Sequence, residues 1–428
     1  MKIVIQRSLK SEVSVNNKIV GKIEKGLVLL VGFHEEDTII ACVGDNGGTT
    51  DEDIRNGFKR TVELLTESLK TGSEVEDLLV YPIVYNARHS IELSLKIVIK
   101  MLWRIEEKKG ICYSEEILKE RKKELHTHSI ECLYKLACDK KNIDRRIPAY
   151  FENIEDMIHF YYFDEEGDAF KYELNKEDEP HMIKNKISHV SIELLETEFK
   201  EVMKKFDDLI YFLDNCIFEY SLGTFTKSLS RADIWDISKR LPVYEEWRTE
   251  KFKEVKDEIK QEYHLGSKEF SDAVNLIKEN REFSVNIGCE KVFGSITENE
   301  LKEYASLVRY YSEKSKSDNK DKEIGFDLRK IQKNGEILKK YLSSISMNTL
   351  NTLLCFSEMS NSFLAVEHLE EVHDDIVSKA FDGTYLIRKL KQRNICLRIL
   401  YGMKKCGQVT YAKQLSAALE QEGVELTL

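Results

Sequence analysis

The chain reads as a predominantly α-helical α+β protein: a helical bundle with one inserted β-hairpin, preceded by a small antiparallel β-sheet. Three observations predict this. Residues 1–33 alternate apolar and polar side chains at the two-residue period of strands. From Asp51 onward apolar residues recur at spacings of three and four, the period of helices. Residues 158–174, IHFYYFDEEGDAFKYEL, interrupt that rhythm with two aromatic-rich runs about a turn at Glu165 to Asp168, which predicts the hairpin.

At the start, MKIVIQRSL and SEVSV alternate, and Asn16-Asn17 is a hairpin turn signal before KIVGKIE. Gly26 then opens GLVLLVGF, a continuous apolar run typical of a strand buried on both faces. Such a strand is too apolar for a free edge, so another chain or the helical body is expected to cover it. The segments MKIVIQR, SEVSV, KIVGKIEKGLVLLVG and the following HEEDT resemble the opening of a D-aminoacyl-tRNA deacylase, over about the first 38 residues. That family builds its substrate pocket from a Ser-Gln-x-Thr segment and a Gly-Pro motif. Neither occurs here; the four prolines follow Tyr81, Ile147, Glu179 and Leu241. A few strands also cannot make a closed sheet. Residues 1–38 therefore read as a truncated graft, used for pairing or for docking on a tRNA-like partner. Deacylase activity is the least favoured function.

Residues 42–50, CVGDNGGTT, form a turn-rich linker. Asp51 to Leu69 is an amphipathic helix with Ile54, Phe58, Val62, Leu65 and Leu69 on its core face and Gly72 as its stop. The central element is Tyr81 to Ile105, apolar almost all round and so a buried helix, with Pro82 in its first turn. Arg88, Glu92 and Lys96 are spaced by four, which stacks them as a plus–minus–plus ladder on one face. Buried charges are unfavourable unless paired. Either Glu92 neutralises its two neighbours, or the ladder with His89 makes a polar site facing a second helix. That second helix opens near THSIECLYKLACDK, with Thr127 or Ser129 as cap and His128 at its mouth. Glu92 is expected within salt-bridge reach of Arg88 or Lys96.

A charged helix from Glu115 to Lys123 precedes His126 and His128. Ser191 caps a long helix with the stripe Leu195, Phe199, Val202, Phe206, Leu209 and Leu213. Ser230 and Ser267 cap further helices, and Pro242 ends the first of them. The polar run SEKSKSDNKDKE at 312–323 marks a domain boundary. The organisation is thus a β segment (1–45), a helical domain with the hairpin (46–220), a helical extension (221–311) and a C-terminal helical domain (324–428). The last two helices, in RILYGMKKCGQVTYAKQLSAALEQ, could form a helix-turn-helix, although an ordinary terminal pair is favoured.

The formal net charge of −11 argues against nonspecific coating of nucleic acid and leaves room for a local basic patch. Nine scattered cysteines without CxxC read as reduced thiols in a cytoplasmic protein and give no zinc spacing. His368 and His373 are five apart, which does not suit a helical metal pair, so no metal or cofactor is expected. No apolar run reaches membrane-spanning length, and no signal peptide is read at the start.

RHSIELSLK followed by THSIECLYKLA is similar to HEPN-type helical domains, which share an E-L-x-L-K helix and a later helix opening with histidine. FDEEGDAFKY, SRADIWDISKRLP and GSKEFSDAVNLIKENREF extend the resemblance over roughly residues 51–290. HEPN relatives include metal-independent ribonucleases, toxins, phage-defence effectors and inert partners of nucleotidyltransferases. Ribonuclease members carry Arg, four to six residues, then His. Arg121 precedes His126 by four intervening residues and His128 by six, although Lys122 replaces the usual small polar residue. The resemblance implies His128 or His126 as acid–base group and Arg121 or Arg88 as phosphate clamp, in a homodimer acting on RNA, with tRNA suggested by the N-terminus. A histidine near neutral pKa can take a proton from a ribose 2′-hydroxyl, and an arginine can hold the phosphate. Tyr85, Tyr150, Tyr161 and Tyr162 could stack bases, with a core role as the default. The opposing reading is a non-catalytic interaction or nucleotide-binding module. It is favoured by the acidic total charge, by the self-neutralising ladder and by Arg121 lying in an ordinary charged face with Glu120 and Glu124.

Overall fold

The structure of the protein, a computed structural model, describes residues 2–8, 11–15, 18–23, 26–32, 41, 43, 47–72, 74–318 and 328–424, with side chains left out before residue 41 and over 314–334. It comprises two compact units, residues 1–57 and 58–428.

In the first unit β1 (Lys2–Ser8) pairs antiparallel with β4 (Gly26–Gly32), in register from Lys2 opposite Gly32 to Ser8 opposite Gly26. β2 (Ser11–Val15) pairs with β3 (Lys18–Ile23), and the register shifts between Val13 and Ser14. These are two separate two-stranded ladders rather than one sheet. The Asn16-Asn17 turn, HEEDT and the expected cover over GLVLLVG lie outside the described residues or side chains. α1 (Asp51–Lys70) starts with three acids in its first turn, where the helix dipole favours them.

The second unit is helical, with three apolar cores. The first is organised around α2 (Glu76–Lys108), in which Ile83, Val84, Ala87, Ile91, Leu95, Val98, Ile99, Leu102 and Ile105 are wholly enclosed. The helix begins before Tyr81, so Pro82 falls in its second turn, where its missing N–H removes the usual helical bond to Leu78 O; Asn86 Nδ2 donates separately to Pro82 O at 2.6 Å. α3 (Glu115–Glu124) and α4 (Ile130–Lys140) follow, capped by Ser114 and Ser129, whose hydroxyls accept from Ile117 N and Cys132 N. α4 packs on α2, as does α5 (Ile192–Ser221) with its whole expected stripe buried.

The α+β expectation is corrected here. Among the residues whose side chains are described, the three cores are built from helices and the turns between them, and residues 158–174 are not a hairpin. Ile154–Ile158 is a short helix continued by a 3-10 turn at His159–Tyr161. Ile158 and Tyr161, three apart, turn into the core together, which a strand's two-residue period would forbid. The DEEGD turn is closed by Asp164, whose Oδ1 accepts from Asp168 N at 2.9 Å and Ala169 N at 3.1 Å. An isolated bridge between Leu174 and Pro180 is the extended pairing described in this region.

The second core lies under α6 (Arg231–Arg240), α7 (Glu250–Glu262) and α8 (Ser267–Glu279). Ser230 and Asp233 form a reciprocal capping box at α6. The third core joins α9 (Glu298–Asp318) and α10 (Leu328–Ser344) to α11 (Met347–Met359), α12 (Leu369–Ser378), α13 (Gly383–Leu390), α14 (Arg393–Lys405) and α15 (Val409–Gln421). The polar run at 312–323 begins as the last turns of α9, and the change of core falls earlier, between Ile287 and Ile296. Glu367 bridges the second and third cores: its carboxylate accepts from Arg231 Nε at 2.8 Å, Thr224 Oγ1 at 2.7 Å and Asn280 Nδ2 at 2.8 Å. α11 and α14 cross so closely at Gly402 that a Cβ there would lie 1.8 Å from Phe356 O.

Candidate functional site

Two members of the ladder on α2 are enclosed, the third, Lys96, is partly exposed, and all three are paired. Arg88 and Glu92 are 2% exposed. Arg88 Nη1 donates to Glu92 Oε2 at 3.1 Å, and Lys96 Nζ donates to Glu92 Oε1 at 2.7 Å. The four-residue spacing sets this alignment, and α4 with the 164–168 turn seals it. Arg88 Nη2 also donates to two carbonyls brought from elsewhere, His128 O at 2.5 Å and Asp164 O at 2.7 Å. Its Nε lies 3.0 Å from Asp164 Oδ2, near enough for the charges to attract but not aligned as a hydrogen bond. Gly167, at φ +73°, lets the turn pass over this guanidinium; a Cβ there would sit 2.7 Å from Arg88 Nη1.

His128 stands at the mouth of α4 with its side chain 56% exposed, and its Nδ1 lies 3.0 Å from Glu92 Oε1. An imidazole bonded to a carboxylate through Nδ1 is fixed in orientation and presents Nε2 outward. His89 is partly exposed, with Nδ1 3.9 Å from Glu92 Oε2, parallel to the Tyr85 ring and edge-on to Phe58. Burial pushes the Glu92 carboxyl up. The nearby His89 imidazole, the Lys96 hydrogen bond and charge, and the Arg88 charge outweigh it and hold the group at about 2. Glu92 is therefore a permanent anion shared by four cationic or imidazole groups.

The other expected site residues go elsewhere. Arg121 is buried, with Nη2 2.6 Å from Glu106 Oε2 and its guanidinium 3.7 Å from the centre of the Tyr113 ring. Glu106 also takes Lys140 at 3.1 Å. Glu106 follows Glu92 by fourteen residues on one helix, which is about 21 Å at 1.5 Å per residue. Arg121 and His128 are thus not brought together within one chain, while Arg88, Glu92, Lys96 and His128 are. His126 is exposed in the turn between α3 and α4. The basic run Lys140 to Arg146 is spent internally: Arg145 binds Asp233 at 2.7 Å, and Arg146 binds Asp144 at 2.6 Å and Glu219 at 3.0 Å. Tyr161 is buried, and Tyr150 is stacked on Phe212.

Two partners were hidden from sequence. Asp164 lay inside the supposed hairpin, although its place in DEEGD was a turn signal. Glu106 carried no local mark. Among the described residues no group of three or more His, Cys, Asp or Glu gathers to hold a metal. Among them, too, no helix is long and apolar enough to cross a membrane.

Fold and site together define a helical protein with an exposed histidine oriented by a buried carboxylate. The D-Tyr-tRNA(Tyr) deacylase family matches residues 4–43. A D-aminoacyl-tRNA deacylase of Rhodopirellula baltica is 63% identical over 38 residues, 9% of this chain and 26% of that protein. One from Clostridium perfringens is 56% identical over 39 residues, and one from Desulforamulus reducens 51% over 45. The chain spans about a quarter of the length of these curated relatives. No solved structure matches it.

Proposed function

We propose that roughly residues 51–290 form a HEPN-like helical region acting as a metal-independent endoribonuclease of toxin or phage-defence type, with His128 as its acid–base group. The observation that carries this is the His128–Glu92 contact: Nδ1 is held at 3.0 Å by a buried carboxylate while the ring stays open to solvent. In that arrangement Nε2 takes the proton from a ribose 2′-hydroxyl. The 2′-oxygen attacks the adjacent phosphorus, the bond to the 5′-oxygen breaks, and a 2′,3′-cyclic phosphate remains. The leaving oxygen takes its proton from a second acid, which a homodimer with facing histidine regions would supply as the other copy's imidazole. Lys96, partly exposed, is the cation of the ladder nearest to serving the phosphate; Arg88 supports Glu92 from behind. The match over residues 4–43 supports tRNA as the RNA class, and it is the whole of the support for deacylase chemistry.

Incubation of the purified chain with total RNA in the presence of a chelator tests this. Cyclic-phosphate ends are expected, and they disappear in His128→Ala while Arg121→Ala keeps the chemistry if it remains folded. Wild-type protein that leaves no cyclic ends rejects the nuclease. A second reading, a non-catalytic interaction or nucleotide-binding module, is favoured by one feature: Arg88 and Arg121 are both buried in ion pairs. It expects nucleotide or protein binding by calorimetry that survives His128→Ala.

A further inference from the structure

Residues 379–405 contain eight lysines and arginines and a single acid, Asp382, in a chain whose net charge is −11. This stretch builds α13, the turn after it and α14. Leu386, Ile387 and Leu390 face the third core, which leaves Tyr385, Arg388 and Lys389 at i, i+3 and i+4 on the outer face of α13, all exposed. Tyr385 stacks on Phe381 with ring centres 4.5 Å apart, and Lys389 Nζ lies 5.7 Å from the Tyr385 ring centre. Where α13 ends, Lys391 Nζ sits 4.1 Å over Tyr311, which meets Tyr310 edge-on. Tyr304 ties this end to α9 by donating to Leu390 O at 2.9 Å. Among the described residues no carboxylate forms an ion pair with Arg388 or Lys389. Lys379 and Arg398, by contrast, have Asp375 and Glu358.

We infer that this corner of the C-terminal bundle is a docking surface for single-stranded nucleic acid. Two aromatic platforms flanked by cations match what an unpaired strand offers: flat base faces at intervals along a line of phosphates. Duplex reading is not implied, because α13 is short and its outer face carries stacking rings rather than a row of base-edge donors. On a chain whose net charge is −11 the patch gathers cations where a phosphate backbone can be met. The surface does not depend on the chemistry at His128.

Fluorescence anisotropy of the full chain with a labelled 20-nucleotide oligodeoxythymidylate, which has no 2′-hydroxyl to be cut, titrated at several salt concentrations, tests this. Wild type is expected to bind with a steep salt dependence. Removing two phosphate contacts in Arg388→Ala/Lys389→Ala should lower the slope of log affinity against log salt by about 1.4. Tyr385→Ala should weaken binding about tenfold with the slope unchanged. Because this strand cannot be cleaved by way of a 2′-hydroxyl, its binding is read apart from the chemistry proposed at His128, and failure at the nuclease site and failure here are told apart. The inference is overturned if the double variant, with an unchanged unfolding midpoint, binds as well as wild type. It is equally overturned if wild type ignores the oligonucleotide, or prefers anionic phospholipid vesicles to it.

Discussion

Glu92→Ala leaves Arg88 enclosed without its carboxylate, and a broken buried pair typically loses about 3–5 kcal/mol, so urea unfolding should register a loss of that order. The same group sets an acid limit. Its carboxyl titrates at about 2 when folded, against an ordinary 4.5. Its contribution is therefore complete above pH 4.5 and drains away as pH falls toward 2. Glu92→Gln should flatten the acid limb of the stability profile, and an unchanged limb would show that other carboxylates govern it. His128→Ala should instead leave the thermal midpoint nearly unchanged, since a half-exposed imidazole contributes little packing, while cleavage is lost. This much was legible in sequence, because i, i+4 spacing fixes neighbours on a helix and the helix-mouth histidine lay opposite. The fate of Arg121 was not legible. Its partner Glu106 lies fifteen residues earlier on another helix, and only the folded packing of α3 against the end of α2 joins them.

Two glycines measure how tightly elements meet. Gly402→Ala places a methyl against the Phe356 carbonyl, an unyielding backbone contact between α11 and α14. A loss of about 3 kcal/mol or failure to fold is expected, read by calorimetry. Gly167→Ala meets both a left-handed φ and the Arg88 guanidinium, and about 2 kcal/mol should be lost. Helices with caps and continuous apolar stripes were readable residue by residue, Ser191 and its stripe above all. The hairpin misled because aromatic-rich runs about a Gly-containing turn satisfy strand propensity, whereas burial of Ile158 and Tyr161 in the first core decides the helical alternative. Tertiary packing overrode local preference there.

At the scale of the molecule, the second and third cores are fastened by Arg231 and Glu367. Burial pushes the Glu367 carboxyl up, but Arg231 and the Thr224 hydroxyl hold it below the ordinary range. Arg231→Ala should split a single thermal transition into two, since each core keeps its own apolar packing. A single sharp transition in the variant would mean that other contacts couple them. Measured against D-aminoacyl-tRNA, the full chain is expected to show no substantial hydrolysis, because residues 4–43 answer to about a quarter of a deacylase. The N-terminal resemblance was legible through its continuous motif, while the boundary of the third core was not, since α9 carries its helix into a polar run. Arg88, finally, is a knot tied with distant ends: its guanidinium gathers carbonyls 40 and 76 residues downstream. Closing loops of that length takes entropy that neighbouring turns never have to supply. The Arg88 cluster behind His128 is therefore expected to finish late in refolding, after α2 and α4 have met, and in pulse-labelled exchange the amides of Asp168 and Ala169 should gain protection after those of the α2 interior.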